Sequence, residues 1–423
     1  MIIYSVRPGD TLYRLSELFG VPTDIIAADN GLQNRDRLVI GQSLVIPANE
    51  VFYTVTEGST LYSIAGEYGI PLETLLEFNP DLNPISLQIG DKVTIPLAEP
   101  EVRRSAVMNG YAYPTISEEA LSCALPHLTF ISPFSYSLNE QGELIAPDDA
   151  ALIETALKNG VQPLMTLTNE VDGIFSTEVL SAILADEAYS DGLIDSILTE
   201  LETKGYYGLN LDMEYIAPAD REKYNAFLEN LSVRLHENDY ILLTAVAPKY
   251  SADQPGLLYE AHDYAAQGQF ADYVIVMTYE WGYTYSPPMS VQPIEEVRKV
   301  LDYAVTEIPS EKILLGMPNY GYDWTLPYTR GTAASGIGLT AAADLAIKNN
   351  SEILYDEATQ TPYFYYTDNG IRHVVWFDDA QSISAKLELI NEYNLAGASW
   401  WTINRCFLPN WLIVENKFEV VKL

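Results

Sequence analysis

The sequence predicts an α/β protein: a (β/α)8 barrel with a small α+β insertion between its seventh and eighth strands, preceded by two βααβ modules. Three observations point there. The first hundred residues repeat themselves at a fixed offset. Beyond them, eight short runs rich in β-branched and aromatic residues alternate with helical stretches. In the fourth run, Gly208-Leu209-Asn210-Leu211-Asp212-Met213-Glu214-Tyr215, apolar and acidic residues alternate. Leu209, Leu211 and Met213 fall on one side of an extended strand, and Asn210, Asp212 and Glu214 on the other.

The repeat needs a shift of 49 positions and no gap: Tyr4 meets Tyr53, Val6 meets Val55, Thr11-Leu12-Tyr13 meets Thr60-Leu61-Tyr62, and Ile46-Pro47 meets Ile95-Pro96. The copies occupy residues 1–48 and 49–98. Each reads as strand, helix, helix, strand. Tyr4 to Val6 is a short strand, Asp10 a candidate N-cap for a helix opened by Thr11, and Leu12, Leu15 and Phe19 recur at helical spacing. Gly20 stands where a helix end wants a left-handed residue. A second helix follows Pro22 and ends near Asn30-Gly31. Leu38 to Ile46 then alternates around a turn at Gly41-Gln42. Units this small sit at the lower limit for a self-sufficient core.

After Leu97-Ala98-Glu99-Pro100 the pattern changes, and the barrel is expected over 101–423. Its strands are predicted at Ala106–Tyr113, Leu128–Tyr136, Gln162–Thr168, Tyr207–Glu214, Ile241–Val246, Tyr273–Tyr279, Ile313–Met317 and Ala396–Trp401. The stretch of about 80 residues before the last strand is too long for one connection. Within an insertion of about 320–392, Glu352–Tyr355, Thr361–Thr367 and Ile371–Phe377 read as strands, and Asp378-Asp379 as the cap of a helix carrying Ala385 to Leu395. Barrel chemistry sits at the carboxyl ends of the strands. Glu214, Tyr279 and Trp401 are each the last residue of a predicted strand, so an acid, a phenol and an indole converge on one mouth.

Composition narrows the partners. With 23 basic against 59 acidic residues the net charge is −36, which argues against nucleic acid or an anionic membrane surface and suits a neutral glycan. Thirty tyrosines fit wet aromatic surfaces. Cys123 and Cys406 could pair only if the fold brings them together, and two free buried thiols are the expectation. No apolar run reaches the ~18–20 residues that cross a bilayer. The first ten residues lead directly into a folded pattern, so a conventional signal peptide is not expected. His127, His236, His262 and His373 are scattered without ligand spacing, so neither metal nor cofactor is expected.

The two repeats resemble LysM modules, which bind N-acetylglucosamine polymers such as peptidoglycan and chitin. The first copy carries Tyr-x-Val-x-x-Gly-Asp-Thr-Leu, the second Tyr-x-Val-x-x-Gly-Ser-Thr-Leu, and both close on Ile-Gly-x-x-Leu/Val-x-Ile-Pro. The resemblance implies a sugar groove between the loop after the first strand and the loop before the last. Here those are Gly9, Asp10, Thr11 and Leu12 with Asn30 and Ile40, and Gly58, Ser59, Thr60 and Leu61 with Asn79 and Ile89. Capping and turning the chain is the plainer role for these side chains. Two linked weak sites bind a polymer better than either alone.

From about Arg103 onward the chain resembles glycoside hydrolase family 18, whose motif is Asp-x-x-Asp-x-Asp-x-Glu on the fourth barrel strand. Here it stands as Tyr207-Gly208-Leu209-Asn210-Leu211-Asp212-Met213-Glu214, keeping the last two acids. The resemblance implies Glu214 as the acid that protonates the departing oxygen. The sugar's 2-acetamido group serves as nucleophile, Asp212 orients its N–H, and Tyr279 donates to its oxygen. Trp401 matches the indole floor beneath the reacting sugar. Glu280 stands where many members have Asp, and Asn210, an amide, cannot share a proton with Asp212, which is then free to stay ionised.

The stretches Gly316–Trp324, Tyr279-Glu280-Trp281-Gly282 and Phe407–Trp411 look like the spore-cortex-degrading branch of that family. Tyr320, Trp281, Glu280, Asn210 and Trp401 are therefore expected to bind substrate. The implied protein is a retaining β-N-acetylglucosaminidase, monomeric, associated with the spore or cell wall, with peptidoglycan as partner. Two alternatives carry the same residues: a chitinase or endo-N-acetylglucosaminidase on other polymers, and a glycan-binding protein with an inactive barrel.

Overall fold

The computed structural model describes residues 1–32, 37–83, 85–96 and 103–423. The boundary expected at residues 97–100, and the start of the barrel at 101, lie outside the described residues.

The first module pairs Ile2–Ser5 antiparallel with Ser43–Ile46, with helices Leu12–Phe19 and Thr23–Asp29 between them. The second repeats this with Glu50–Thr54, Lys92–Pro96 and helices Leu61–Glu67 and Leu72–Phe78. Thr11, not Asp10, caps the first helix, accepting from the Arg14 amide. Asp10 instead closes the preceding turn, accepting from the Arg7 amide and the Tyr4 hydroxyl, each at 2.8 Å. A threonine oxygen reaches an amide three residues on, while the carboxylate one position earlier is better placed to brace the strand.

The modules lean on each other and on the barrel. Apolar residues of both form one cluster that includes Leu15, Ile26, Ile64 and Leu75. A side-chain carbon on Gly20 would lie 2.4 Å from the Phe52 ring, so the helix-capping glycine also makes room for its neighbour. Val39 and Val45 belong instead to the barrel's outer core. The Ile353 amide donates to the Ile40 carbonyl at 2.9 Å, and a carbon on Gly41 would fall 1.8 Å from the Ile353 carbonyl oxygen. The first module is docked through that contact. Accordingly all but the first residue of Ser43–Ile46 are buried, and the expected alternation is lost.

Counting barrel strands alone, β1 is Arg104–Ala112, β2 Phe130–Pro133, β3 Gln162–Thr168, β4 Gly208–Asp212, β5 Ile241–Val246, β6 Tyr273–Val276, β7 Ile313–Pro318 and β8 Gly397–Trp401. All pair in parallel, and β8 returns to β1 with Gly397 opposite Val107, closing the cylinder. Phe418–Val420 adds a short strand beside the start of β1. Inside the barrel, Val107, Phe130, Leu164, Leu243 and Leu314 form a packed plug with Tyr207, whose ring lies 5.9 Å from Phe130. Tyr207 thus fills the floor where the family motif has its first acid. Outside, Leu209, Leu211 and Met213 join the core shared with the helices.

The insertion is a five-stranded antiparallel sheet in the order Ser335–Ile337, Gly321–Leu326, Ile371–Trp376, Thr361–Asp368, Leu354–Asp356. The first two strands and helix Leu339–Asn349 were not expected. The helix starts at Ala380 behind its expected cap, Asp379, and ends at Glu392, short of the expected Leu395. Cys123 and Cys406 form a disulfide, contrary to the expected free thiols. Closure of the barrel brings the helix after β1 beside the loop after β8, a proximity that sequence spacing conceals. Among the described residues no helix is long and apolar enough to cross a membrane.

Candidate active site

Four of the barrel strands, β1, β2, β4 and β6, end earlier than expected. β4 stops at Asp212, so Glu214 sits two residues beyond it, and Tyr279 lies three beyond the end of β6; only Trp401 closes its strand. The side chains still meet. Asp212, Glu214, Tyr279, Glu280 and Trp401 line one cavity of about 350 Å³ at the carboxyl face, together with Tyr113, Phe134, Glu170, Phe175 and Met277. That volume lies within the range of small-molecule sites.

Hydrogen bonds fix the loop carrying the acid. The Glu214 amide donates to Asn169 Oδ1 at 2.9 Å, and Asn169 Nδ2 donates back to the Glu214 carbonyl at 2.8 Å. His262 Nδ1 accepts from the Ala247 amide, so its Nε2 carries the proton and donates to the Met213 carbonyl at 2.9 Å. Burial pushes that imidazole down to about 4, keeping it neutral. Tyr215 adopts a left-handed φ of 54°, and its carbonyl accepts from Thr177 Oγ1 at 2.6 Å. Such backbone costs on the order of 1–3 kcal/mol and persists only where its surroundings hold it.

The two acids share a dry environment. Asp212 is 4% exposed, and its Oδ1 is buried without a partner. Burial first, and the Glu170 carboxylate second, hold its carboxyl well above the usual range. Glu214 is pushed up by burial, then by the charges of Asp212, Glu170 and Glu280. The expectation that Asp212 stays ionised because Asn210 cannot share its proton therefore meets an opposing force from burial.

Asn210 lies beneath the cavity rather than in its lining. Its Nδ2 donates to Ser132 Oγ at 3.0 Å and its Oδ1 accepts from Tyr111 at 3.4 Å. Ser132 in turn donates to Asn109, which donates to Ser399. This neutral chain ties β1, β2, β4 and β8 together across the barrel interior. Trp401 meets Tyr111, Tyr113 and Phe134 edge-on, with centroids at 5.3, 6.0 and 4.7 Å. These contacts fix the indole plane.

Tyr320 and Tyr322 both donate to Glu280 Oε1, at 2.7 and 3.0 Å, so Tyr320 positions that carboxylate and is outside the lining. Trp281 also stands outside it, its Nε1 donating to Tyr250. Sequence reasoning missed Glu170 and Asn169. The available signal was Asp172-Gly173: both have positive φ, and they turn the two-residue hairpin in which Glu170 faces Phe175.

In the modules, Asn30 is buried and bonds the Ile26 carbonyl and both polar groups of Val45; Asn79 repeats this with Leu75 and Thr94. Leu12 and Leu61 are core residues. Gly9, Thr11, Gly58 and Thr60 are exposed, and Asp10 and Ser59 half-buried. Ile89 is 73% exposed but Ile40 only 41%.

Residues 127–405 match the family described as glycosyl hydrolases family 18, and residues 4–47 and 53–96 match the LysM domain. The chain belongs to glycosyl hydrolase family 18 and is a LysM-bearing glycoside hydrolase. The cortical fragment-lytic enzyme of Bacillus subtilis (strain 168) is 47% identical over 430 residues, covering 100% of this chain and 99% of that protein. That of Bacillus anthracis is 42% identical, covering 99% of each. The crystal structure of the Bacillus megaterium QM B1551 spore cortex-lytic enzyme SleL superposes with a TM-score of 0.89 at 38% identity, over 100% of this chain and 99% of that one.

Proposed function

We propose that the protein is a retaining, substrate-assisted β-N-acetylglucosaminidase of spore-cortex peptidoglycan. It acts as a spore-associated monomer held on the polymer by its LysM pair. The carrying observation is the common cavity of Glu214, Asp212, Tyr279 and Trp401. Within it Glu214, kept protonated by burial and neighbouring charge, gives its proton to the departing glycosidic oxygen. The acetamido oxygen of the same sugar attacks the anomeric carbon. Asp212, with a free buried oxygen, holds the acetamido N–H and offsets its growing positive charge. The Tyr279 hydroxyl donates to the acetamido oxygen, and the Trp401 face carries the ring. Water then opens the cyclic intermediate, Glu214 taking back a proton. A complete cavity within one chain supports the monomer.

The test is mass spectrometry of the products from spore-cortex muropeptides and from chitin oligomers. Wild type should release fragments ending in N-acetylglucosamine, and Glu214→Gln should lose at least about 100-fold in rate. Cleavage by Glu214→Gln at the wild-type rate would remove the reading. Chitin cut with cortex fragments untouched would move the substrate.

A further inference from the structure

Two carboxylates of the cavity, Glu170 and Glu280, take no part in the chemistry of Glu214 and Asp212. Glu170 follows β3 after Asn169 and opens the hairpin Glu170–Val171 with Ile174–Phe175. Its place is set by the residue that also sets the proton donor. Asn169, buried, binds the Glu214 backbone in both directions through its side chain. Asn169 also accepts at its own carbonyl from the Ser176 amide at 2.8 Å, closing the base of the hairpin. Phe175, opposite Glu170, packs on Tyr215 at 6.0 Å. Glu170 and Glu214 are therefore held in fixed relation on two facing loops.

The charge of the lining is one-sided. Glu170, Asp212, Glu214 and Glu280 line the cavity, and no Lys, Arg or His is among its described lining residues. Asp212 Oδ1 is buried without a partner beside it. A substrate group that arrives ionised and negative would find low dielectric, three or four carboxyls and no counter-charge.

We propose that Glu170 is a specificity-determining residue: with Asp212 and Glu280 it makes a cation-free cavity that accepts N-acetyl sugars with neutral neighbours and rejects neighbours bearing a free carboxylate. The proposal rests on the glycosidase reading and narrows its substrate class. Peptidoglycan alternates N-acetylglucosamine with a sugar that carries a lactyl acid. The bonds favoured are those where this acid is capped as an amide.

Two tetrasaccharides of alternating N-acetylglucosamine and N-acetylmuramic acid test it, one with free lactyl carboxylates and one with primary amides. Wild type should show kcat/KM about ten-fold higher on the amide at low ionic strength, the gap shrinking as salt is raised. Glu170→Gln should reduce the gap to about three-fold or less. Equal kcat/KM on the pair, or a gap indifferent to salt, overturns the proposal, and the salt series needs only wild type should the variant fold poorly. An undiminished gap in a folded Glu170→Gln protein also overturns it. If neither tetrasaccharide is cut, the peptidoglycan reading falls. Calorimetric binding of the pair to Glu214→Gln then still decides charge selectivity, equal affinities counting against it.

Discussion

Glu214 is caught between two requirements. Its carboxyl must hold a proton near neutral pH, and the burial and neighbouring carboxylates that achieve this penalise the folded chain once the proton leaves. The sign follows from linkage. In the unfolded chain Glu214 titrates near its ordinary 4.5, and in the fold it titrates higher. Below about pH 4.5 both states are protonated and the group is neutral toward stability. Between that pH and the folded value only the fold keeps the proton, so stability is lost as pH rises, and the loss is complete above the folded value. Glu214→Gln should therefore melt with wild type at pH 4 but at a higher temperature than wild type at pH 9. Calorimetry at the two pH values checks this, and equal midpoints at pH 9 would show that the carboxyl is not held in the protonated form. The acid pair was readable in the sequence because alternation turns Asp212 into the barrel mouth, and Glu214, two residues past the strand's end, still reaches the same cavity. Glu170 was not, because it lies past the end of β3 in a hairpin whose Asp172-Gly173 signal marks the turn and not the cavity that its first residue lines.

At the scale of elements, duplication has left equal sequences with unequal duties. Gly41 and Gly90 occupy the same motif position with φ of 82° and 95°. A side-chain carbon on Gly90 meets nothing within 4 Å, whereas on Gly41 it would strike the Ile353 carbonyl. Gly90→Ala should cost only the left-handed backbone, about 1–2 kcal/mol. Gly41→Ala should cost that and the docking contact. Thermal unfolding of the two variants measures the difference, and equal losses would mean that the Ile353 contact contributes no stability. Two of the barrel strands, Gln162–Thr168 and Ile241–Val246, have the residues expected of them, and the others differ at their ends. At the carboxyl face β4 and β6 leave the ladder early, and the segments that follow them carry Glu214 and Tyr279 into the cavity. The strands Ser335–Ile337 and Gly321–Leu326 were missed for another reason. Ser335–Ile337 has three residues with the first two exposed, and Gly321–Leu326 opens with two successive buried residues, so neither shows the alternation of a half-buried strand.

The whole molecule is bound together by more than packing. The Cys123–Cys406 disulfide spans 283 residues. It ties the helix after β1 to the loop after β8, whose Thr402 and Arg405 carbonyls accept from Asn319 Nδ2, each at 2.9 Å. On the chain-entropy account a loop this long is worth roughly 5 kcal/mol. Reduction by a soluble phosphine, or Cys123→Ser, should lower the apparent melting temperature by on the order of 5–10 °C. An unchanged melting curve under reducing conditions would mean that the barrel closes as firmly without the bond. Neither cysteine's neighbourhood was evident from composition, since two thiols this far apart in sequence meet only when a barrel closes. The same bond makes the catalytic barrel tolerant of damage. A protease that nicks any exposed loop between positions 123 and 406 leaves two pieces still covalently joined. Because Glu214 and Trp401 both lie inside that span, a chain cut once there keeps its hydrolytic machinery on one connected molecule.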